Sequence, residues 1–279
     1  MIPDLTPFRR PLLEMTLEAG RILMNHYGRL RSIEYKSDIN LVTAADREAE
    51  DYLRERVGRE FPGHFILAEE GNKEDDERSL YGRFGRGPLF EEWTWVIDPL
   101  DGTTNFAHSF PLFSVSVALA WRGETLLGAV YNPYYKELFS AEKGRGATLN
   151  GAPIRVSNVS DIDKALVVTG FPYDRREKAD ALLRLVRAFI QTCHGFRRCG
   201  SAALDLCSVA TGRLDGYWEQ GLHPWDAAAG VLIVREAGGR CTDYAGQEHP
   251  VPWWQTLASN GKVHDSMLEV IERTLHETP

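Results

Sequence analysis

The chain has 279 residues, 43% hydrophobic and 26% charged, proportions that exclude wholesale disorder, a collagen-like repeat and a coiled coil. Thirty-two Lys and Arg against 40 Asp and Glu leave a net charge of −8, which argues against nucleic acid or an anionic membrane surface as the main partner. Cys193, Cys199, Cys207 and Cys241 form no CxxC pair, so neither a disulfide scaffold nor a zinc site is expected, and the setting predicted is a reducing cytoplasm.

The N-terminus carries Asp4, Arg9, Arg10 and Glu14, which interrupt any apolar run of the kind a secretory signal needs. Phe8, Leu12, Met15, Ala19 and Ile22 recur every three or four residues and predict a helix over about the first 27 positions. A second helix is expected from the four-residue steps Ala45, Ala49, Leu53, Val57 and Phe61, ended by Pro62-Gly63. A short strand follows at Phe65 to Ala68, then a charged, glycine-punctuated segment from Gly71 to Glu92 that reads as an exposed, mobile loop. Phe113, Val115, Val117, Leu119 and Trp121 alternate with serine and alanine, the period of a strand with one face on a core. Arg122-Gly123-Glu124 turns into a second strand near Leu126 to Tyr131, and Asn150-Gly151 signals a further hairpin. The stretch from Phe106 to Trp121 is too short to cross a bilayer.

Beyond a strand at Lys164 to Thr169 the pattern changes to helices alternating with short strands. Helical faces appear at Ala181 to Phe189, Ala202 to Ala210, Trp225 to Ala237 and from Val263, with strands at Tyr217 to Glu219, after Gly239 and near Leu257. An α+β half, residues 1–160, is thus expected to stack on an α/β half, residues 161–279, across a soft boundary.

The chemistry gathers in WVIDPLDGTTNF, Trp95 to Phe106. Asp98 and Asp101 fall at the end of a strand that Pro99 is expected to stop, and Gly102-Thr103-Thr104 reads as a helix start. Two carboxylates on such a turn can hold hard divalent cations, and the backbone N–H groups of Gly102 and Thr103 can hold a phosphate beside them. Turns and helix caps also use Asp, Gly and Thr, so the pattern needs support from elsewhere. Glu69 and Glu70 end the Phe65 strand, Asp46 opens the second helix, and Asp226 opens the Trp225 helix, each at an element end where ligands are presented.

These segments resemble the inositol monophosphatase family. WVIDPLDGTTNF is similar to its first signature and LHPWDAAAG, Leu222 to Gly230, to its second; KSDINLVTAAD, LAEEG and CGSAALDLC match further blocks in the same order. The resemblance implies a layered αβαβα sugar-phosphatase fold, usually dimeric, and lithium-sensitive hydrolysis of small phosphate monoesters, most of all myo-inositol monophosphate. It implies two or three Mg²⁺, with Mn²⁺ as a substitute: a first held by Glu69, Asp98 and the Leu100 carbonyl, a second by Asp98, Asp101 and Asp226, and a weaker third leaning on Glu69. It further implies that Thr103, paired with Asp46, positions and deprotonates the attacking water, that Gly200, Ser201 and Ala202 lie along the substrate, and that Glu219 reaches its hydroxyls. Asn40 stands where the family often has Asp, and the Gly71 to Glu92 segment is longer than usual, which bears on substrate range.

DxxDGT is one residue longer than the DxDGT of haloacid dehalogenase-type phosphatases, and it lies far from the N-terminus, where theirs sits. Within the resembled superfamily, histidinol-phosphate phosphatase, fructose-1,6-bisphosphatase and 3′-phosphoadenosine phosphatase are the alternatives, and a non-catalytic binding partner is the reading from another class. His223, His108, His194 and His249 are expected to be ordinary histidines, since hard cations prefer oxygen. Trp253-Trp254 reads as core packing or a dimer contact, and the glycines at Gly144 to Gly146 are too few for a nucleotide site.

Overall fold

Five layers, helix, sheet, helix, sheet and helix, stack in the computed structural model, which describes residues 3–29, 34–35, 41–42, 44–69, 93–248 and 254–276. The outer helices on one side are α1 (Thr6–His26) and α2 (Ala44–Glu60), where the apolar spacing placed them; two short strands, β1 (Glu34–Tyr35) and β2 (Leu41–Val42), pair between them. Among the described residues no helix is long and apolar enough to cross a membrane.

The first sheet runs in the order β3 (Phe65–Ala68), β4 (Trp93–Asp101), β5 (Ser114–Trp121), β6 (Glu124–Asn132), β7 (Glu137–Glu142), β8 (Gly146–Leu149) and β9 (Ala152–Pro153). Only its β3–β4 pair is parallel. Trp95, Ile97, Val115, Val117 and Leu119 point to one face and join Leu12, Met15, Ala19, Leu53 and Val57 of α1 and α2 in one apolar cluster.

The alternation along β5 predicted one buried face, yet Ser114, Ser116, Ala118 and Ala120 are buried as well. Small side chains on that face let helix α6 (Pro224–Glu236) lie close to the sheet. At Gly128 of β6 an added Cβ would stand 3.0 Å from Ala229 Cα, and Ser116 Oγ donates to the Trp225 carbonyl at 3.3 Å.

The second sheet has the order β11 (Gly195–Arg197), β10 (Leu166–Thr169), β12 (Gly216–Leu222), β14 (Trp254–Ser259) and β13 (Arg240–Thr242). Helices α5 (Ala202–Ala210) and α6 fill the space between the sheets, and their alanines and leucines share a cluster with Val96 and Val130 of the first sheet and Val168 and Tyr217 of the second. That core therefore continues across residue 160. Helices α4 (Ala179–Thr192) and α7 (His264–His276) close the far side through Leu185, Phe189, Met267 and Ile271.

Three expectations change. Pro99 does not end β4: the register with β5 shifts between Asp98 and Asp101, and this bulge takes up the residue that cannot donate to the ladder. Residues Ile162–Lys164 form a 3₁₀ turn, so β10 starts two residues later than predicted. Trp254 is 46% exposed with Lys178 Nζ 5.0 Å above its ring, and so is no core residue. Glu70, the segment 71–92, Asn40, His249 and Trp253 lie outside the described residues.

Candidate active site

The bulge in β4 supplies the geometry from which the site is built. It turns Asp98 and Asp101 toward the same end of the sheet, and the Leu100 N–H donates to Asp98 Oδ1 at 2.9 Å. Glu69 follows directly on β3, whose Ala68 lies opposite Ile97, so the parallel pairing brings Glu69 beside Asp98. Asp226 sits in the first turn of α6, where its Oδ2 accepts the His223 N–H at 2.7 Å, a capping bond that fixes the carboxylate at the helix start.

Four of the predicted carboxylates share one electrostatic neighbourhood. Burial first, then the charges of Glu69, Asp101 and Asp226, push the Asp98 carboxyl well above the usual range. Burial also raises Asp226, with Glu69 the first of its charged neighbours. Asp101 is raised by burial too, against the opposing effect of its hydrogen bonds. Those bonds run to the start of α5: Ser201 Oγ donates to Asp101 Oδ2 at 2.5 Å, the Ala203 N–H to the same oxygen at 2.9 Å, and the Ala202 N–H to Oδ1 at 3.2 Å.

The fifth, Asp46, is reached by Thr103. This residue opens α3 (Thr103–Ala107), a helix of five residues, and its hydroxyl lies 3.0 Å from the Leu100 carbonyl and 3.4 Å from Asp46 Oδ1. Asp46 is fully buried in the first turn of α2, so two elements 57 residues apart are joined through one hydroxyl. Gly102 adopts a φ of +88°, and an added Cβ there would be 2.9 Å from the Leu112 carbonyl and 3.2 Å from that of Gly200. Glycine is needed at this approach of three loops. Asn105 Nδ2 holds them together by donating to Leu112 O at 2.7 Å and Cys199 O at 2.9 Å.

A cavity of about 300 Å³ opens over these groups, with Asp101, Gly102, Thr103, Ser201, Glu219 and Asp226 in its wall; Gly200 and Ala202 line it too. Glu219 of β12 is 8% exposed and accepts the Tyr217 hydroxyl at 2.8 Å. Burial pushes its carboxyl up to about 7, partly offset by that hydrogen bond and by Arg198. At Gly170 an added Cβ would stand 2.0 Å from Glu219 Oε2, so glycine there leaves the carboxylate its room.

Among the described residues, the predicted site residues thus gather around one cavity and the carboxylates beside it. The cavity also takes Phe171, Tyr173 and Arg175 from the loop after β10, and Arg198 from the loop before α5, none of which sequence reasoning named. The Arg197-Arg198 pair directly before Cys199-Gly200-Ser201 was the available signal. The His223 side chain caps α6 in a box shared with Asp226 and stacks on Trp225 with ring centroids 4.6 Å apart.

Among the described residues, no group of three or more His, Cys, Asp or Glu side chains stands ready-made to hold a metal ion. Asp98, Asp101 and Asp226 each accept N–H groups instead. The donor set nevertheless fits hard divalent cations: every candidate ligand is an oxygen, and positive charge would relieve the repulsion between buried carboxylates.

The profile of the inositol monophosphatase family matches residues 4–276. The inositol-1-monophosphatase of Synechocystis sp. is 42% identical over 272 residues, covering 97% of this chain and 91% of that protein. The Nus factor SuhB of Vibrio cholerae is 42% identical over 242 residues, covering 85% of this chain and 86% of its own. The solved inositol monophosphatase of Anabaena superposes with a TM-score of 0.82 at 40% identity, covering 97% of each chain.

Proposed function

The chain belongs to the inositol monophosphatase family and is a phosphoric monoester hydrolase, and from that premise we propose that it cleaves small polyol phosphates, myo-inositol monophosphate above all, with Mg²⁺. The observation that carries this reading is the convergence of Glu69, Asp98, Asp101 and Asp226 beside a cavity lined by Thr103 and Glu219. In this reading Glu69, Asp98 and the Leu100 carbonyl would hold one cation, Asp98, Asp101 and Asp226 a second, and Glu69 a weaker third. When bound, the cations supply the positive charge that offsets the phosphate dianion and the departing alkoxide. Lithium sensitivity and a homodimer, both implied by the family, complete the reading.

The chain's own groups then divide the work. Thr103 Oγ1 accepts a proton from the attacking water and passes its own to Asp46 Oδ1 along the 3.4 Å contact. The water oxygen bonds to phosphorus as the bond to the alcohol oxygen breaks, the departing alkoxide takes a proton from solvent, and Asp46 later returns its proton to solvent. Asp101 is held in place by Ser201, Ala202 and Ala203, which ties the carboxylate floor to the loop that faces the polyol. Glu219 accepts hydroxyl hydrogen bonds from the polyol as a carboxylate, the stronger kind of acceptor.

Glu219 sets a pH dependence. Its carboxyl titrates near about 7 in the folded protein, so KM for inositol 1-phosphate is expected to fall as pH rises from about 6 to about 8, and Glu219→Gln should flatten that profile. The same shift works against stability. A carboxyl whose folded value lies above its ordinary 4.5 stabilises the fold below that pH and loses about 3 kcal/mol of this contribution as pH climbs past 7. The Gln protein should therefore melt higher than the parent at about pH 8, and an unchanged KM profile would remove Glu219 from the polyol contacts.

The direct test is phosphate release by the purified chain after exhaustive chelation. Activity on inositol 1-phosphate should vanish and return on adding Mg²⁺, and it should exceed that on histidinol phosphate, fructose 1,6-bisphosphate and 3′-phosphoadenosine phosphate in kcat/KM. Hydrolysis that survives chelation would overturn the metal reading; a much higher value on another of these esters would reassign the substrate. The Nus factor name of a 42% identical relative favours a second, additional reading, a binding role beside the chemistry. It predicts that Asp226→Ala, though inactive, still supports whatever cellular process depends on such binding.

A further inference from the structure

The cavity that holds acidic groups is lined by basic ones as well. Arg175 and Arg198 both line it, in a chain whose net charge is −8. Among the described residues neither guanidinium has a carboxylate within ion-pair distance, whereas most arginines of α1 and α2 do. Two like charges at one cavity oppose each other: burial first, then Arg198 and Arg176, hold Arg175 below its ordinary basicity, while Arg198 also acts on the Glu219 carboxylate. Such an arrangement is costly in the empty protein and becomes favourable when an anion lies between the two groups.

The local backbone accommodates these side chains. Arg198 lies over the Phe171 ring with its guanidinium carbon 5.4 Å from the centroid, a stacking that leaves the planar edge and its N–H donors available. At Gly200 an added Cβ would be 2.3 Å from Arg198 Nη1, so the glycine that begins the substrate-facing turn also clears the space the guanidinium occupies. Arg175 is half-buried on the loop from Phe171 to Lys178, whose Phe171, Pro172 and Tyr173 line the cavity with it. Glu219, the proposed anchor for polyol hydroxyls, lines the same cavity, and both Arg198 and Asp101 are among the charges that act on it.

We propose that Arg175 and Arg198 form a subsite for a second phosphate group on the alcohol, so that the enzyme binds polyol bisphosphates more tightly than the matching monophosphates. A dianionic phosphate matches two guanidinium groups in charge and in the planar, paired donors that Arg offers. The substrate would lie with one phosphate over Asp101 and Thr103, its ring against Glu219, and its second phosphate at the arginines. This rests on the phosphatase reading above and extends it: the site still accepts inositol monophosphate, with the basic wall unused.

The test compares inositol 1-phosphate with inositol 1,4-bisphosphate in the Mg²⁺-loaded, full-length protein. The bisphosphate is expected to show a KM lower by about tenfold or more, the scale of one or two charge-assisted hydrogen bonds. In Arg175→Ala and in Arg198→Ala that ratio should shrink toward one, while Arg175→Lys retains part of it because the charge remains. Equal KM values for the two esters in the parent, or variants whose KM rises equally on both, would overturn the subsite and leave the phosphatase reading standing. If neither ester releases phosphate, the phosphatase reading itself fails, and the two failures are told apart by the monophosphate alone.

Discussion

Asp98→Asn is expected to give a folded protein whose kcat on inositol 1-phosphate is at least about a thousandfold below the parent's. The substitution keeps the shape of the side chain, and its amide oxygen can still accept the Leu100 N–H that Asp98 Oδ1 now takes at 2.9 Å. It removes one negative charge from the group formed with Glu69, Asp101 and Asp226, the carboxylates that would hold the cations. The loss should therefore fall on turnover and on Mg²⁺ affinity together. Stability moves the other way. The Asp98 carboxyl is raised by burial and by its acidic neighbours, so at neutral pH the ionised group opposes folding, and the neutral amide is free of that penalty. In chelator, the Asn protein should melt above the parent by calorimetry. Near-normal turnover, or a lower melting temperature in chelator, would remove Asp98 from the centre of the site.

That opposition between stability and chemistry explains which parts of the site were visible in the residues alone. Asp101 and Asp226 stand at the ends of elements whose apolar periods were plain, the alternation of the first sheet and the alanine-rich face of α6, and Asp98 stands at the bulge just before the end of β4. A carboxylate at such a boundary is recognisable because nothing in the packing asks for it. Pro99 misled for a related reason: a proline inside a strand reads as a stop, but the bulge between Asp98 and Asp101 lets the strand pass it while swinging both acids to one end.

The second buried face of β5 was hidden because serine and alanine are not counted as core residues in an alternating pattern. Here small size, which lets α6 approach, matters more than apolarity. Arg175 and Arg198 were hidden differently. They come from loops after β10 and before α5, and only the parallel pairing of β10 with β11 and β12 sets those loops at one cavity mouth. No local period records such a meeting. Glu219 was reached through family likeness, and its environment, Tyr217 on one side and Gly170 on the other, became legible only in the folded chain.

Thr103 carries the second large effect. Its hydroxyl has one proton and two acceptors, the Leu100 carbonyl at 3.0 Å and Asp46 Oδ1 at 3.4 Å, so the proton can be turned from one to the other without moving the backbone. A group so placed can receive a proton from water while giving its own to Asp46, a carboxylate fully buried in the first turn of α2. Thr103→Val keeps the branched shape and removes only the oxygen. Its kcat is expected to fall by about 10² to 10⁴-fold, the range of a lost general-base path, with KM changed by less than about threefold. Thr103→Ser should recover most of the activity, since it restores the hydroxyl on a similar stem. Asp46→Asn should match the Val protein, and the double variant should be little worse than either, because residues that act as one relay do not lose activity additively. Steady-state and single-turnover rates at saturating Mg²⁺ decide the matter: independent, multiplying losses would mean that Thr103 and Asp46 serve separate tasks and that the proton leaves the water by another route.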